Sequence, residues 1–146
     1  MRLWHIDLIP FLPRQQLIAQ WRECVCIAKN LALKGTPNHV LVNRILEYSA
    51  GHFQAYGRYV TDEMKKRGYK ISANSSFRFN QYVTTWALSR GNNKFHTQGL
   101  FSHWHNRRYL DQCYFNLQEK HDCGAITDDE WQKLEEGYRK ASEENA

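Results

Sequence analysis

Residues 14–33 carry the pattern that most restricts how this chain folds. At about 100° per residue, Leu17, Ile18, Trp21, Cys24, Val25, Ala28, Leu31 and Ala32 share one broad arc, the stripe of a helix with one face in a core. Arg22 and Lys29 flank that arc, and the opposite face holds Gln15, Gln16, Ala19, Glu23, Cys26 and Asn30. A solvated helix face usually mixes charges. This one is small and neutral around a single acid, the pattern of a helix with core on one side and a groove or ligand on the other. Glu23 is the lone carboxylate between Asp7 and Glu47, and it sits beside Arg22. Taken alone, a helical glutamate beside Arg reads more readily as a solvated one.

The remaining segments predict a mostly α fold. Residues 2–9 precede Pro10 and Pro13 and read as an extended N-terminal arm, with Pro13 suited to a helix start. Gly35-Thr-Pro37 ends the first helix, and 37–48 read as a short second one. A helix over 52–67 places Phe53, Tyr56, Val60 and Met64 in register. It closes on Lys65-Lys66-Arg67-Gly68, with cations at the negative end of the dipole and glycine beyond the cap; Arg58 and Lys65 share its far side. Residues 72–104 look least regular, with a turn-like run at 90–94. A helix over 105–121 stripes Tyr109, Leu110, Cys113, Tyr114 and Leu117. The last starts at the capping-box pattern Thr127-Asp-Asp-Glu130 and continues through Trp131, Leu134 and Tyr138. The expected architecture is a single compact helical domain over 1–146, with an accessory acidic C-terminal helix at 127–143.

Charge points toward a polyanion. Lys and Arg number 20 against 15 Asp and Glu, a net +5. Nearly all the cations lie in 1–121, while 128–144 carry Asp128, Asp129, Glu130, Glu135, Glu136, Glu143 and Glu144. The body is thus more basic than the average, and the acidic end is expected to face away from any phosphate partner. Phe77-Arg78-Phe79, Lys94-Phe-His96, and Phe101 through Trp104 to Arg107-Arg108-Tyr109 interleave rings with cations, as single-strand stacking surfaces do, although rings in such a segment also serve as core. No run approaches the ~18–20 apolar residues of a membrane span, and no basic-then-apolar leader opens the chain. Cys24, Cys26, Cys113 and Cys123 read as reduced thiols of a cytoplasmic protein.

Catalytic motifs of the common kinds are lacking: no nucleophile elbow, P-loop or dinucleotide fingerprint appears. His103-x-His105, Cys113 and His121-x-Cys123 have x-spaced pairs that fit structural zinc poorly, and Cys113 belongs to an apolar stripe, so no metal or other cofactor is expected.

The arm together with Leu17-Ile-Ala-Gln-Trp-Arg-Glu23 resembles the start of the pyrimidine-dimer DNA glycosylases of the phage endonuclease V type. There an early Arg on an arm leads into a helix ending in aromatic-Arg-Glu. Gly51-His-Phe53 and Lys66-Arg-Gly-Tyr-Lys-Ile71 resemble two further blocks of the family, and Leu117-Gln-Glu-Lys120 a weaker third. The ordered set spans most of 1–121, with a poor match across 72–104.

The resemblance implies a glycosylase that is also an abasic-site lyase, acting as a monomer on double-stranded DNA that contains cyclobutane pyrimidine dimers. Its nucleophile would be the α-amine of the first residue, here assigned to Met1, which attacks C1′ of the damaged nucleotide. An imine to the opened sugar follows, and β-elimination nicks the strand. An α-amine is less basic than a lysine side chain, which leaves a larger neutral fraction near neutrality. Glu23 matches the catalytic glutamate, Arg2 and Arg22 the arginines near the phosphates, Gln15 or Gln16 a glutamine near the lesion, and Lys120 a lysine of the DNA face. Departures from the phage form bear on lesion specificity. That form begins with threonine, carries His where Gln16 stands and Arg where Cys26 stands, and ends in an aromatic-basic tail in place of this acidic helix. The other readings are a glycosylase/lyase for a different damaged or modified base, and a non-catalytic DNA-binding protein of the same fold.

Overall fold

The computed structural model describes residues 1–91 and 98–145. Among the described residues there are five α-helices: α1 (Arg14–Lys34), α2 (Ala50–Lys66), α3 (Ala73–Ser89), α4 (Arg107–Asp122) and α5 (Asp128–Glu144). A 3-10 turn at Ile6–Phe11 precedes α1, another at Asn43–Glu47 lies between α1 and α2, and no strand occurs among the described residues. The mostly α expectation is met. The chain partitions into two compact units, one formed by Met1–Leu3 with Ile18–Phe101, the other by Trp4–Leu17 with Ser102–Ala146.

In the first unit α1, α2 and α3 enclose a core. The buried arc of α1 is rotated from the expected one: Leu17, Gln20, Trp21, Cys24, Ile27, Ala28 and Leu31 are buried, whereas Ile18, Val25 and Ala32 are only half-buried. Gly57 lets α2 and α3 close together, since a Cβ there would lie 2.4 Å from the Phe79 ring. The α2 helix ends as its sequence predicts, with Gly68 at φ 81° beyond the Arg67 cap.

Two expectations are corrected here. Residues 73–89, read as irregular, form the 17-residue helix α3. Phe79, Val83, Trp86 and Ala87 give it a narrow buried stripe at spacings of four, three and one, and the Ser72 hydroxyl caps it by accepting from the Ser75 N–H at 3.0 Å. The intervening Asn, Ser, Thr and Gln, which resemble turn chemistry, are its solvated faces. The short helix expected over 37–48 contracts to the 3-10 turn at Asn43–Glu47, after Asn38 enters the left-handed region at φ 54°.

In the second unit the 3-10 turn Ile6–Phe11 packs on α5, and α4 packs on α5. A residue of arm thought to be wholly extended is therefore turned from Ile6 onward. Gly137 permits the approach, because a Cβ there would meet the Phe11 ring at 2.2 Å. The expected capping box at Thr127 and Glu130 forms. Glu130 does more than close it: Oε1 accepts from the Thr127 N–H at 3.2 Å, and Oε2 accepts from the Arg14 N–H at the start of α1 at 3.3 Å.

Two buried histidines hold the turn. The His5 Nδ1 accepts from the Asp7 N–H at 3.1 Å, which places the ring proton on Nε2, and Nε2 donates to the His105 carbonyl at 2.9 Å. The His105 Nδ1 accepts from the Ile6 N–H at 3.0 Å. Burial lowers the His5 pKa, opposed in part by the Asp7 charge. The unfolded chain therefore takes up this proton first as pH falls. His5 contributes full stability above the ordinary histidine value of about 6.5, and that contribution is lost as pH drops through the lowered folded value. Thermal unfolding followed from pH 8 to pH 5 is expected to show a fall in Tm below pH 6.5 that flattens in His5→Gln; an unchanged slope in that variant would refute the assignment.

Candidate active site at the N-terminal arm and α1

Glu23 is half-buried on α1 and faces the backbone of the arm. Its Oε2 accepts a long hydrogen bond, 3.5 Å, from the Arg2 N–H, and another of 3.4 Å from the Gln20 side-chain amide. The α-amine of Met1 lies three covalent bonds from the Arg2 nitrogen, so it stands within about 7 Å of the same carboxylate oxygen. Met1 is 40% exposed, and among the described residues its amine takes part in no hydrogen bond or ion pair. The amine and the carboxylate thus lie near each other at the arm, and among the described residues neither is held in an ion pair.

Gln20 was not singled out by the sequence, yet it is fully buried. Its Nε2 donates to the Arg2 carbonyl at 2.9 Å, and its Oε1 accepts from the Tyr56 hydroxyl of α2 at 3.0 Å. One signal marks it: on a helix, position 20 is nearly in line with Ile27 and Leu31, so an amide there falls inside the apolar arc and must find partners. Cys24, next to Glu23, is spent in the core. Burial pushes its thiol well up, and the Glu23 charge adds to that effect.

Arg22 is exposed on α1 and bonds to no described residue, leaving its five donors available. Arg2 is half-buried. Met1, Arg2, Arg22 and Glu23 all belong to the first unit. Gln15 and Gln16 stand in the first turn of α1 and Lys120 near the end of α4, all three within the second unit. Gln15 and Lys120 are exposed, while Gln16 carries a buried Oε1 that no described group satisfies.

The ring-and-cation surface expected from the sequence is largely dismantled. Phe79, Phe101 and Trp104 are buried, and Phe79 packs against Trp21 and Phe53. Only Phe77 of the first trio is open, at 66% exposure. Arg107 is engaged by Asp111 at 3.0 Å and by the Ser142 carbonyl at 3.0 Å. The run Lys94-Phe-His96 lies outside the described residues. Buried rings are the physical correction here: α3 and the segment before α4 need them as core. His52, of the Gly-His block, likewise serves the fold by accepting from the Phe101 N–H at 3.1 Å. Arg58 and Lys65 do share one face, opening onto a cleft of about 190 Å³ floored by Trp21 and Phe79, with Asp62 between the two cations.

Among the described residues no group of three or more His, Cys, Asp and Glu could hold a metal, and no helix is long and apolar enough to cross a membrane. A model of the family described as pyrimidine dimer DNA glycosylase matches residues 1–76 of the 146. Comparison with curated proteins and with solved structures found no significant match.

Proposed function

The chain belongs to the pyrimidine dimer DNA glycosylase family, and from that premise we propose that it excises cyclobutane pyrimidine dimers and nicks the abasic site through an imine on its own N-terminal amine. The observation that carries this reading is the Glu23 carboxylate, turned onto the backbone N–H of Arg2, near an amine that engages no described group.

The sequence of bond changes follows from that pair. The neutral α-amine of Met1 attacks C1′ of the damaged nucleotide, and the glycosidic C1′–N bond breaks with the pyrimidine as leaving group. The developing positive charge at the sugar is offset by the Glu23 carboxylate. Loss of a proton from the amine and opening of the ring give the imine, with Glu23 as the proton acceptor and donor. Removal of a C2′ proton then expels the 3′ phosphate by breaking C3′–O, and water releases the enzyme. Arg2 and Arg22 bind flanking phosphates, Gln15 or Gln16 the lesion, and Lys120 the DNA backbone. A distorted, poorly stacked dimer lowers the cost of opening the duplex to reach C1′.

The deciding experiment is reductive trapping. The protein mixed with a dimer-containing duplex and borohydride is expected to give a covalent protein–DNA adduct whose peptide maps to residue 1. Tight binding with neither adduct nor nick would refute the enzyme reading and favour a DNA-binding protein of the same fold; nicking of abasic but not dimer-bearing duplex would point to another lesion.

Arg22 supplies a second test. Replacing it with Gln is expected to weaken binding to any duplex alike and to shallow the slope of log K against log salt by about 0.9, one phosphate contact. An unchanged slope would remove Arg22 from the DNA face.

A further inference from the structure

Met1 carries the proposed nucleophile but no described residue holds its amine directly, and a chain terminus samples many geometries. A reaction at C1′ tolerates little of this, since displacement of a reacting group by about 1 Å costs on the order of 10²-fold in rate. The structure therefore has to fix the arm by some other group.

The geometry points to Gln20 and Tyr56 as positioning residues that fix the nucleophilic amine and the Glu23 carboxylate in one register, a role that rests on the amine-imine reading above. Gln20 is the one fully buried polar side chain of α1 among the described residues. Its amide touches the arm that carries the amine and the carboxylate itself, donating to the Arg2 carbonyl at 2.9 Å and to Glu23 Oε2 at 3.4 Å. The Tyr56 hydroxyl, also fully buried, donates to the far side of the same amide at 3.0 Å. The amide has one workable orientation. Turned over, it would set Oε1 against two oxygens that can only accept.

The consequence for the amine is mechanical. Arg2 is gripped on both sides, its carbonyl by Gln20 and its N–H by Glu23. With that N–H held, the Met1–Arg2 peptide plane is held as well, because the peptide bond is planar. The α-amine then moves chiefly by rotation about the single Met1 Cα–C bond. Of the two grips the Glu23 contact is long and the Gln20 contact short, so Gln20 is the principal clamp. Tyr56 carries its anchorage into α2, the packed middle of the first unit.

The test uses the full chain as Gln20→Met, Tyr56→Phe and the double variant, each with three measurements. These are the single-turnover rate of borohydride-trappable adduct on an abasic duplex, the Kd for a duplex carrying a tetrahydrofuran abasic analogue that forms no imine, and Tm. Gln20→Met keeps the volume and removes the amide. It is expected to lower the trapping rate about 10²-fold with Kd within threefold, and to lower Tm because the Tyr56 hydroxyl loses its acceptor. Tyr56→Phe is milder, about tenfold in rate, as the amide keeps both inner contacts. The double variant has no orphaned hydroxyl, so its Tm should rise above that of Gln20→Met while its rate stays low. A rate that recovers along with Tm, or single variants that trap like the natural chain, would overturn the positioning role while leaving the amine reading intact. A natural chain that traps no adduct at residue 1 would overturn both.

Discussion

Replacing Glu23 with Gln is expected to lower nicking of dimer-containing duplex about 10²–10⁴-fold, the range for loss of a positioned acid-base group. Gln keeps the length and the acceptor oxygen that meets the Arg2 N–H, so the arm contact can persist. What it removes is the negative charge opposite the sugar and the capacity to carry a proton. Affinity for duplex should hold within a few-fold or rise, because the variant loses a repulsive charge beside phosphate. The measurement is a single-turnover time course with the Kd taken in parallel. Nicking at the natural rate would refute the assignment of Glu23. Equal losses in nicking and affinity would return it to a binding or folding role.

Blocking the chain's first nitrogen has the larger expected effect. A formyl or acetyl group converts the amine to an amide without a usable lone pair. Trapping and dimer excision should then fall to the background of the uncatalysed duplex. A single extra residue ahead of Met1 tests the same group differently. It leaves a good amine but moves it by up to about 3.6 Å, beyond what the clamp on Arg2 can correct. Intact mass must confirm the state of each sample, and duplex affinity must survive the modification, since Arg22 and the rest of α1 are untouched. If a blocked chain forms the borohydride adduct as well as the free one, a lysine is the nucleophile and the terminal-amine chemistry is wrong.

Much of this was written into the sequence, and the exceptions have physical causes. The α1 helix, the α2 terminus at Gly68 and the Thr127 capping box were legible because each follows from local rules of period, dipole and capping. Helix α3 was not. Its buried stripe is narrow, and Ser, Asn and Thr on its other faces satisfy a helix only once Trp21 and Phe53 are there to cover Phe79. Glu23 was visible as an acid out of place. Its setting was hidden because it is tertiary: Glu23 meets the Arg2 N–H 21 residues earlier, and the neighbouring Gln20 meets an arm carbonyl 18 residues before it and a hydroxyl 36 residues after it, none implied by any spacing in the chain. The rings misled for the same reason, since alternation of Phe and Arg looks alike on a stacking surface and on a helix with one side packed.

The carboxylate of Glu23 and the amide of Gln20 both grip Arg2 by its main chain. The grip itself uses no side-chain atom of residue 2, so under the proposed mechanism substrate contact at that position is uncoupled from catalysis. Under the proposed mechanism, substitution at residue 2 by any residue with a backbone N–H would retune which lesions or flanking phosphates are preferred while keeping this grip, whereas residue 20 has almost no alternatives. Selectivity and reactivity would then be inherited through different atoms of the same short arm.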